Sequence, residues 1–185
     1  LALMSDMMRR HKLGFTLIET VVALARITAA AVGPITLAVR GVLHARLSRS
    51  KLVALHLAEE GIELVRNKRD TNVLGGNDWR GSVLPCDLPC VPLDNGDYKI
   101  DIFTDSLVSV AVAAPLLFHR SVGLWSGVYY HDDPGGLDNI PTPYTRMVTI
   151  STPGANQMKV VSRVAWDEAG LSRHVEVETV LWQWD

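Results

Sequence analysis

The chain has 185 residues, of which 48% are hydrophobic and 21% are charged. These fractions are typical of a globular protein that carries one additional apolar segment. Residues 71–185 hold fourteen acidic and seven basic side chains, and this acidic surplus argues against a preformed nucleic-acid surface.

The N-terminal region combines a short basic leader with a long apolar run. Arg9, Arg10 and Lys12 precede Gly14, and residues 15–39 contain only two charges, Glu19 and Arg26. As a helix this run would span about 37 Å, enough to cross a hydrocarbon core of about 30 Å. We therefore predict a transmembrane helix over residues 15–39, and the basic leader predicts a cytoplasmic N-terminus.

The carboxylate of Glu19 lies within the apolar run, where a charge is energetically unfavourable. A charged side chain at the centre of a membrane helix costs about 2.5–3.5 kcal/mol on insertion scales. It stands in the run Gly14-Phe15-Thr16-Leu17-Ile18-Glu19. After a basic leader, this run resembles the processing site of type IV pilins and of the pseudopilins of type II secretion. The segment at 57–67 is similar to the matching part of minor pilins.

The resemblance implies a structural filament subunit without catalytic activity or cofactor. In that family a membrane peptidase cuts after the glycine and methylates the new N-terminal residue, which here would be Phe15 after release of the leader, residues 1–14. The freed amine then faces the glutamate of a neighbouring subunit, which makes Glu19 the assembly carboxylate. Implied partners are other pilin or pseudopilin subunits, the prepilin peptidase, the inner-membrane assembly platform and the membrane. The protein would span the inner membrane once and then join a cell-surface or periplasmic filament.

An ordinary secretory signal peptide is the alternative interpretation of the same stretch. Its n-region would be the basic leader, and the alanines at 29–31 provide a small-residue cleavage site. However, Glu19 and Arg26 both fall inside the apolar region, which a signal peptide normally keeps free of charge.

Arg26 departs from the usual apolar helix of pilins. It lies seven residues after Glu19, on the same helix face and about 10 Å along the axis. One hypothesis is a pair with a carboxylate of a neighbouring subunit, such as its Glu19. The other is a side chain that snorkels toward the headgroups.

Residues 40–69 are expected to continue the helix in amphipathic form. Gly33 and Pro34 predict a kink or local melting before this segment, with an outright end of the helix there as the alternative. Apolar residues recur at three- and four-residue steps: Leu43, Leu47, Ala54, Leu57, Ala58, Gly61, Leu64 and Val65. Arg66, Lys68 and Arg69 are predicted in the last turn, where cations offset the helix dipole. The neighbouring Glu59 and Glu60 are interpreted as a solvated face.

Residues 70–97 predict loops that close on a turn. Cys86 and Cys90 favour a disulfide outside the cytoplasm, with free thiols as the alternative and a metal site disfavoured by the absence of further ligands. No metal site is predicted, although Asp132, Asp133 and Asp138, and the turn at 94–97, are weak calcium candidates beside the more ordinary role of turn residues.

The remaining residues predict a β-rich globular head, residues 70–185, in an α+β, pilin-like fold. Strands are expected at 98–103, at 144–150, and within 107–112 and 116–130, with an exposed loop at 131–143. The clearest signal is a hairpin of 160–166 and 174–182 with a connection of four to seven residues. Val175, Val177, Thr179 and Leu181 would share one face, with Glu176 and Glu178 on the other.

The sequence contains no Gly-x-Ser-x-Gly elbow, no phosphate loop, no zinc-ligand spacing and no Rossmann fingerprint. His131 beside Asp132 is interpreted as a surface pair, and most of the five tryptophans as core residues. Two alternatives to a plain filament subunit remain. One is a membrane-anchored or filament-tip adhesin that displays the 131–143 loop, and the other is a secreted enzyme with an unrecognised site.

Overall fold

The computed structural model describes residues 14–81, 90–100, 102, 107–110, 116–120, 128–131, 139–168 and 170–183. The chain divides into two compact units, Leu1–Leu47 and Ser48–Asp185, and we call the second the C-terminal unit. In chain order the described elements are α1 (Leu17–Leu74), β1 (Gly96–Lys99), β2 (Val108–Ser109), β3 (Leu116–Arg120), β4 (Tyr129–Tyr130), β5 (Asn139–Gly154), β6 (Gln157–Glu168) and β7 (Leu171–Trp182).

Helix α1 continues without interruption through Gly33 and Pro34, so it does not end there. It ends at Leu74, five residues beyond the predicted end. Three hydrogen bonds close it: the N–H groups of Gly75, Gly76 and Asn77 donate to carbonyls of the last turn at 2.9, 3.0 and 3.0 Å. Gly76 adopts a φ of +74°, the left-handed conformation that favours glycine at a helix end.

The extension of α1 corrects one sequence prediction. The last turn contains no basic residue, so Arg66, Lys68 and Arg69 do not lie where cations would offset the helix dipole. Arg69 is instead buried, and its Nε donates to Oδ1 of Asp70 at 2.7 Å.

The seven strands form one antiparallel sheet. Strand β5 is central, since it pairs with β6 on one side and with β1 and β3 on the other. Strand β7 pairs with β6 over its whole length and has no other strand partner in the described part of the chain.

Three strand predictions need correction. Strand β1 covers Gly96–Lys99 and not 98–103, since Ile100 is already outside it and Ile102 lies in a turn. Strand β5 begins at Asn139, so residues 139–143 are strand rather than loop, while 132–138 lie outside the described residues. The connection between β6 and β7 has only two residues, shorter than predicted, and Gly170 in it adopts a φ of +76°. A two-residue connection with a left-handed glycine is a usual hairpin geometry.

The core forms where the C-terminal part of α1 packs against the sheet, which confirms the predicted α+β layout. The helix buries Ala54, Leu57, Ala58, Gly61, Ile62, Val65, Arg69 and Asn72. Strand β6 alternates strictly, and its buried face carries Met158, Val160, Ser162, Val164 and Trp166. The predicted faces of β7 are confirmed, because Glu176 and Glu178 are exposed and the alternate residues are less so. Leu43 of the predicted stripe is exposed.

The helix comes close to the sheet at Gly61. A Cβ atom placed there would lie 2.5 Å from Oγ of Ser162 and 3.2 Å from Cγ2 of Val148. Glycine at this position therefore sets how closely α1 approaches β5 and β6.

Candidate functional site

The peptide bond between Gly14 and Phe15 lies just before α1. Residues 14–16 are not helical, and Gly14 and Phe15 are both exposed. A Cβ atom on Gly14 would meet no described atom within 4 Å, and its φ lies outside the left-handed region. Neither local packing nor backbone conformation in the described residues requires glycine here.

Thr16 caps the start of the helix. The N–H of Glu19 donates to the carbonyl oxygen of Thr16 at 3.0 Å and to its Oγ1 at 3.3 Å, and the N–H of Thr20 also reaches that carbonyl. Thr16 and Glu19 have the spacing of a capping box.

Glu19 therefore stands at the favourable end of the helix dipole. Its carboxylate is exposed in the first turn of α1 and not at the centre of the apolar segment. The insertion cost considered above for a central charge is consequently an upper bound. An exposed carboxylate held at a helix start is well placed to accept hydrogen bonds from a cation on another chain.

The apolar segment after Glu19 is exposed throughout. Helix α1 contains a window of mean hydropathy 1.8 with none of its area buried, so it is long and apolar enough to cross a membrane. Its exposed large side chains up to residue 39 are Leu17, Ile18, Val21, Val22, Leu24, Ile27, Val32, Ile35, Leu37 and Val39. An apolar surface of this extent on a protein marks a membrane or protein contact.

The threonines of this segment satisfy their hydroxyl donors within the helix. The Oγ1 atoms of Thr20, Thr28 and Thr36 donate to backbone carbonyls three or four residues earlier, at 2.8 to 3.0 Å. A hydroxyl without a partner in hydrocarbon would be costly. Arg26 is exposed, and no described residue forms an ion pair with it.

The cysteine and aspartate candidates are only partly within the described residues. Cys90 is disulfide-bonded, whereas Cys86 lies outside them, as do the calcium candidates Asp132, Asp133 and Asp138. Within the described ranges, no group of three or more metal-ligating side chains comes together. In the turn at 94–97, Oδ1 of Asp97 accepts a hydrogen bond from Thr149 at 2.6 Å.

The burial of the described tryptophans and of His131 agrees only in part with the sequence predictions. Trp79 and Trp166 are buried, as predicted for core residues, but Trp182 is 54% exposed, and Trp125 and Trp184 lie outside the described residues. His131 is buried, which contradicts its interpretation as a surface residue.

Sequence reasoning missed a buried cation, Arg146, whose side chain has no exposed area. Its Nη1 donates to the carbonyl of Leu57 at 3.1 Å and its Nη2 to that of Ile100 at 2.7 Å. Nη1 also lies 3.3 Å from Oε1 of Glu60, so Glu60 is not simply a solvated residue. The sequence does contain a signal for this buried arginine, because Arg146 alternates with Val148 and Ile150 and therefore falls on the apolar face of β5.

Asn72 is a second buried polar residue that the sequence did not single out. Its Nδ2 donates to the carbonyls of Val91 at 2.8 Å and Trp79 at 3.3 Å, and its Oδ1 accepts from the N–H of Val91 at 2.7 Å. This amide joins the end of α1 to the segment that follows Cys90. Both buried polar groups serve packing, and neither adjoins a nucleophile or a metal site in the described residues.

No family model, no curated protein and no solved structure matches the chain.

Proposed function

We propose that the chain is a structural subunit of the type IV pilin and pseudopilin class, closest to the minor pilins. A prepilin peptidase would cut between Gly14 and Phe15 and methylate the new amine of Phe15. The exposed apolar part of α1 would hold the subunit in the inner membrane and then pack against other subunits in a filament. Glu19 would meet the N-terminal amine of a neighbour as the filament grows.

The observation that carries the proposal is the accessible Gly14–Phe15 bond directly before an exposed apolar helix. A peptidase needs a backbone that it can reach outside a helix, and residues 14–16 are exposed and not helical. Glycine at position 14 has no packing role among the described residues, so recognition by another protein is a sufficient reason for it.

The position of Glu19 supports the same proposal. Its carboxylate lies at the start of the helix, four residues after the amine that cleavage would create, and it is exposed. In the membrane the helix dipole stabilises the carboxylate of Glu19. In a filament a direct cationic partner would stabilise it further. That difference favours assembly over the isolated subunit.

The first experiment is intact-mass analysis and N-terminal sequencing of the protein, expressed with a functional prepilin peptidase. We expect a mature chain that begins with N-methylated Phe15. Gly14→Val should block the cleavage, whereas the matched control Gly33→Ala should be processed normally, since a Cβ at Gly33 also meets nothing within 4 Å. A chain that begins near Val32 would identify a signal peptide and overturn the proposal.

The second experiment measures incorporation into filaments. Glu19→Gln keeps the shape of the side chain and removes its charge, so we expect normal processing but a loss of incorporation. Glu63→Gln is the matched control, because the side chain of Glu63 is 61% exposed on the same helix. Equal incorporation of both variants would contradict the assembly role of Glu19.

A further inference from the structure

The charged residues that directly follow the apolar segment are all basic. Residues 40–58 contain no Asp or Glu but four Lys and Arg residues, Arg40, Arg46, Arg49 and Lys51. All four side chains are exposed. Orientation in the membrane does not account for these four residues. The leader already places cations at the opposite end of the apolar segment, and orientation is set by a difference in cation content between the two ends.

The first two of these cations fall at a specific depth if the helix is anchored in a bilayer. Residues 17–39 span about 34 Å as a helix, against about 30 Å of hydrocarbon. Arg40 then lies at the hydrocarbon edge, and Arg46 lies about 9 Å farther along the axis. Both positions are within about one Debye length of a headgroup layer at physiological salt.

The two arginines point away from each other around the helix. They are six positions apart in the sequence, which corresponds to directions about 120° apart around the helix. A single neighbouring helix would cover only one of them, whereas a headgroup layer surrounds the helix on every side. Neither arginine forms an ion pair with the described residues.

A shallow apolar groove, widely open to its surroundings, lies beside Arg46 on the same helix. It has a volume of about 320 Å³ and is lined by Ala38, Val39, Val42, Leu43 and Arg46. An apolar floor with a guanidinium at one end matches an amphiphile that has an acyl chain and an anionic head. Arginine is also the side chain best suited to bind a phosphate with two hydrogen bonds.

We propose that Arg46 and this groove bind an anionic phospholipid at the C-terminal end of the apolar segment, and that Arg40, on another side of the helix, attracts further anionic headgroups there. The inference depends on the proposed membrane anchoring of α1 and adds the lipid class and the residues that select it. The site would prefer a phospholipid with net negative charge, such as phosphatidylglycerol, over a zwitterionic one of the same chain length.

The test uses the full chain reconstituted into phosphatidylcholine vesicles with a trace of spin-labelled lipid. Electron paramagnetic resonance then gives the motionally restricted fraction of labelled phosphatidylglycerol relative to labelled phosphatidylcholine. We expect a two- to fivefold preference for the anionic lipid, since one arginine near a charged headgroup is worth up to about fivefold. The preference should disappear toward 1 M NaCl, where the Debye length falls to about 3 Å.

The double variant Arg40→Gln/Arg46→Gln should lose the preference. The matched control Arg163→Gln/Arg173→Gln removes the same charge from two half-exposed residues of the C-terminal unit and should keep it. An equal preference in both double variants would overturn the inference. So would a variant that changes only the self-association of the chain, measured by energy transfer between labelled copies, because the partner would then be a second subunit.

Failure of the inference is distinguishable from failure of the proposed function. A chain that inserts into vesicles but restricts both labelled lipids equally would overturn the lipid site alone. A chain that does not insert into vesicles of either composition would overturn the membrane anchor and the lipid site together.

Discussion

Arg146 of β5 and Glu60 of α1 face each other across the helix–sheet interface, with 3.3 Å between Nη1 and Oε1. The arginine has no exposed side-chain area, whereas the side chain of Glu60 is 33% exposed. The two carbonyls that Arg146 also binds belong to α1 and to the residue after β1. One guanidinium therefore holds three parts of the C-terminal unit together.

Arg146→Met should be strongly destabilising. It leaves two buried carbonyl groups and the Glu60 carboxylate without their partner, and breaking a buried ion pair from one side costs about 3–5 kcal/mol. The free energy of unfolding can be measured by urea titration in mild detergent. Arg163→Met is the control, since Arg163 and Glu176 are each about half-exposed, and such pairs contribute under about 1 kcal/mol. Similar losses in the two variants would contradict the bridging role of Arg146.

Gly61→Ala should destabilise the protein although alanine is the better helix former. The added methyl group would meet Oγ of Ser162 at 2.5 Å, and overpacking costs about 1–3 kcal/mol. Gly41→Ala is the matched control, because nothing lies within 4 Å of its Cβ position, so helix propensity alone should stabilise α1 by up to about 1 kcal/mol.

The companion change Ser162→Ala removes the nearest atom. Its hydroxyl has no hydrogen-bond partner in the described part of the chain, so the single change should be mild and the double variant should recover part of the loss. Strict additivity of the two changes in a double-mutant cycle would show that the contact is not responsible.

Asn72→Ala should loosen the segment that follows Cys90. The change leaves the N–H and carbonyl of Val91 without their partner, and an unsatisfied buried group costs about 1–3 kcal/mol. Hydrogen exchange should show faster exchange at the amide of Val91 in this variant. The exposed Asn67 on the same helix provides the control, and unchanged protection of Val91 in Asn72→Ala would contradict the prediction.

Arg26→Leu tests the hypothesis of pairing between subunits. If Arg26 meets a carboxylate of a neighbour, the leucine variant should be processed normally and incorporated less, while Arg26→Lys should retain most incorporation because it keeps the charge. Incorporation by the leucine variant at the wild-type level would leave snorkelling as the role of Arg26.

Alkaline pH should destabilise the C-terminal unit partly through Tyr144. Burial, with smaller contributions from Tyr129 and Glu168, raises the pKa of the Tyr144 phenol above its usual value of about 10, although Ser50 opposes the shift. The folded protein then holds this proton more tightly than the unfolded chain. Its contribution to stability is complete below pH 10 and is lost as the pH rises through the folded pKa.

Tyr144→Phe should flatten the decline of the unfolding free energy above pH 10. Measurements at pH 8 to 9 serve as the reference, because the phenol is neutral there in both states. An identical slope in the variant and the parent chain would show that the decline arises elsewhere.

The local patterns of the chain predicted faces more reliably than ends. Alternation predicted that Glu176 and Glu178 share the exposed face of β7, and both are exposed while the alternate residues are less so. It could not identify Glu60 as the partner of Arg146, because that pairing depends on how the helix meets the sheet. The helix end was misplaced because the cations at 66–69 suggested a last turn, whereas the Gly75–Gly76 pair closes the helix five residues later.

The start of β5 shows why the proline signal misled. Pro141 and Pro143 suggested a loop, yet both lie in the strand. Pairing with β6 begins only at Tyr144, so in the described residues this first part of β5 is bonded to β3 alone. A proline lacks the N–H group that a central strand needs and is tolerated where one side of the strand is free.

The close approach of α1 to the sheet at Gly61 has a mechanical consequence. Because α1 continues from the apolar segment into the C-terminal unit, a pull along the helix would load its interface with the sheet in shear. The oxygen of Ser162 fills the gap that Gly61 leaves, and Arg146 crosses between helix and sheet, so sliding by one residue would drive side chains into the strands. Tension along this part of the helix would therefore pass to all the paired strands at once.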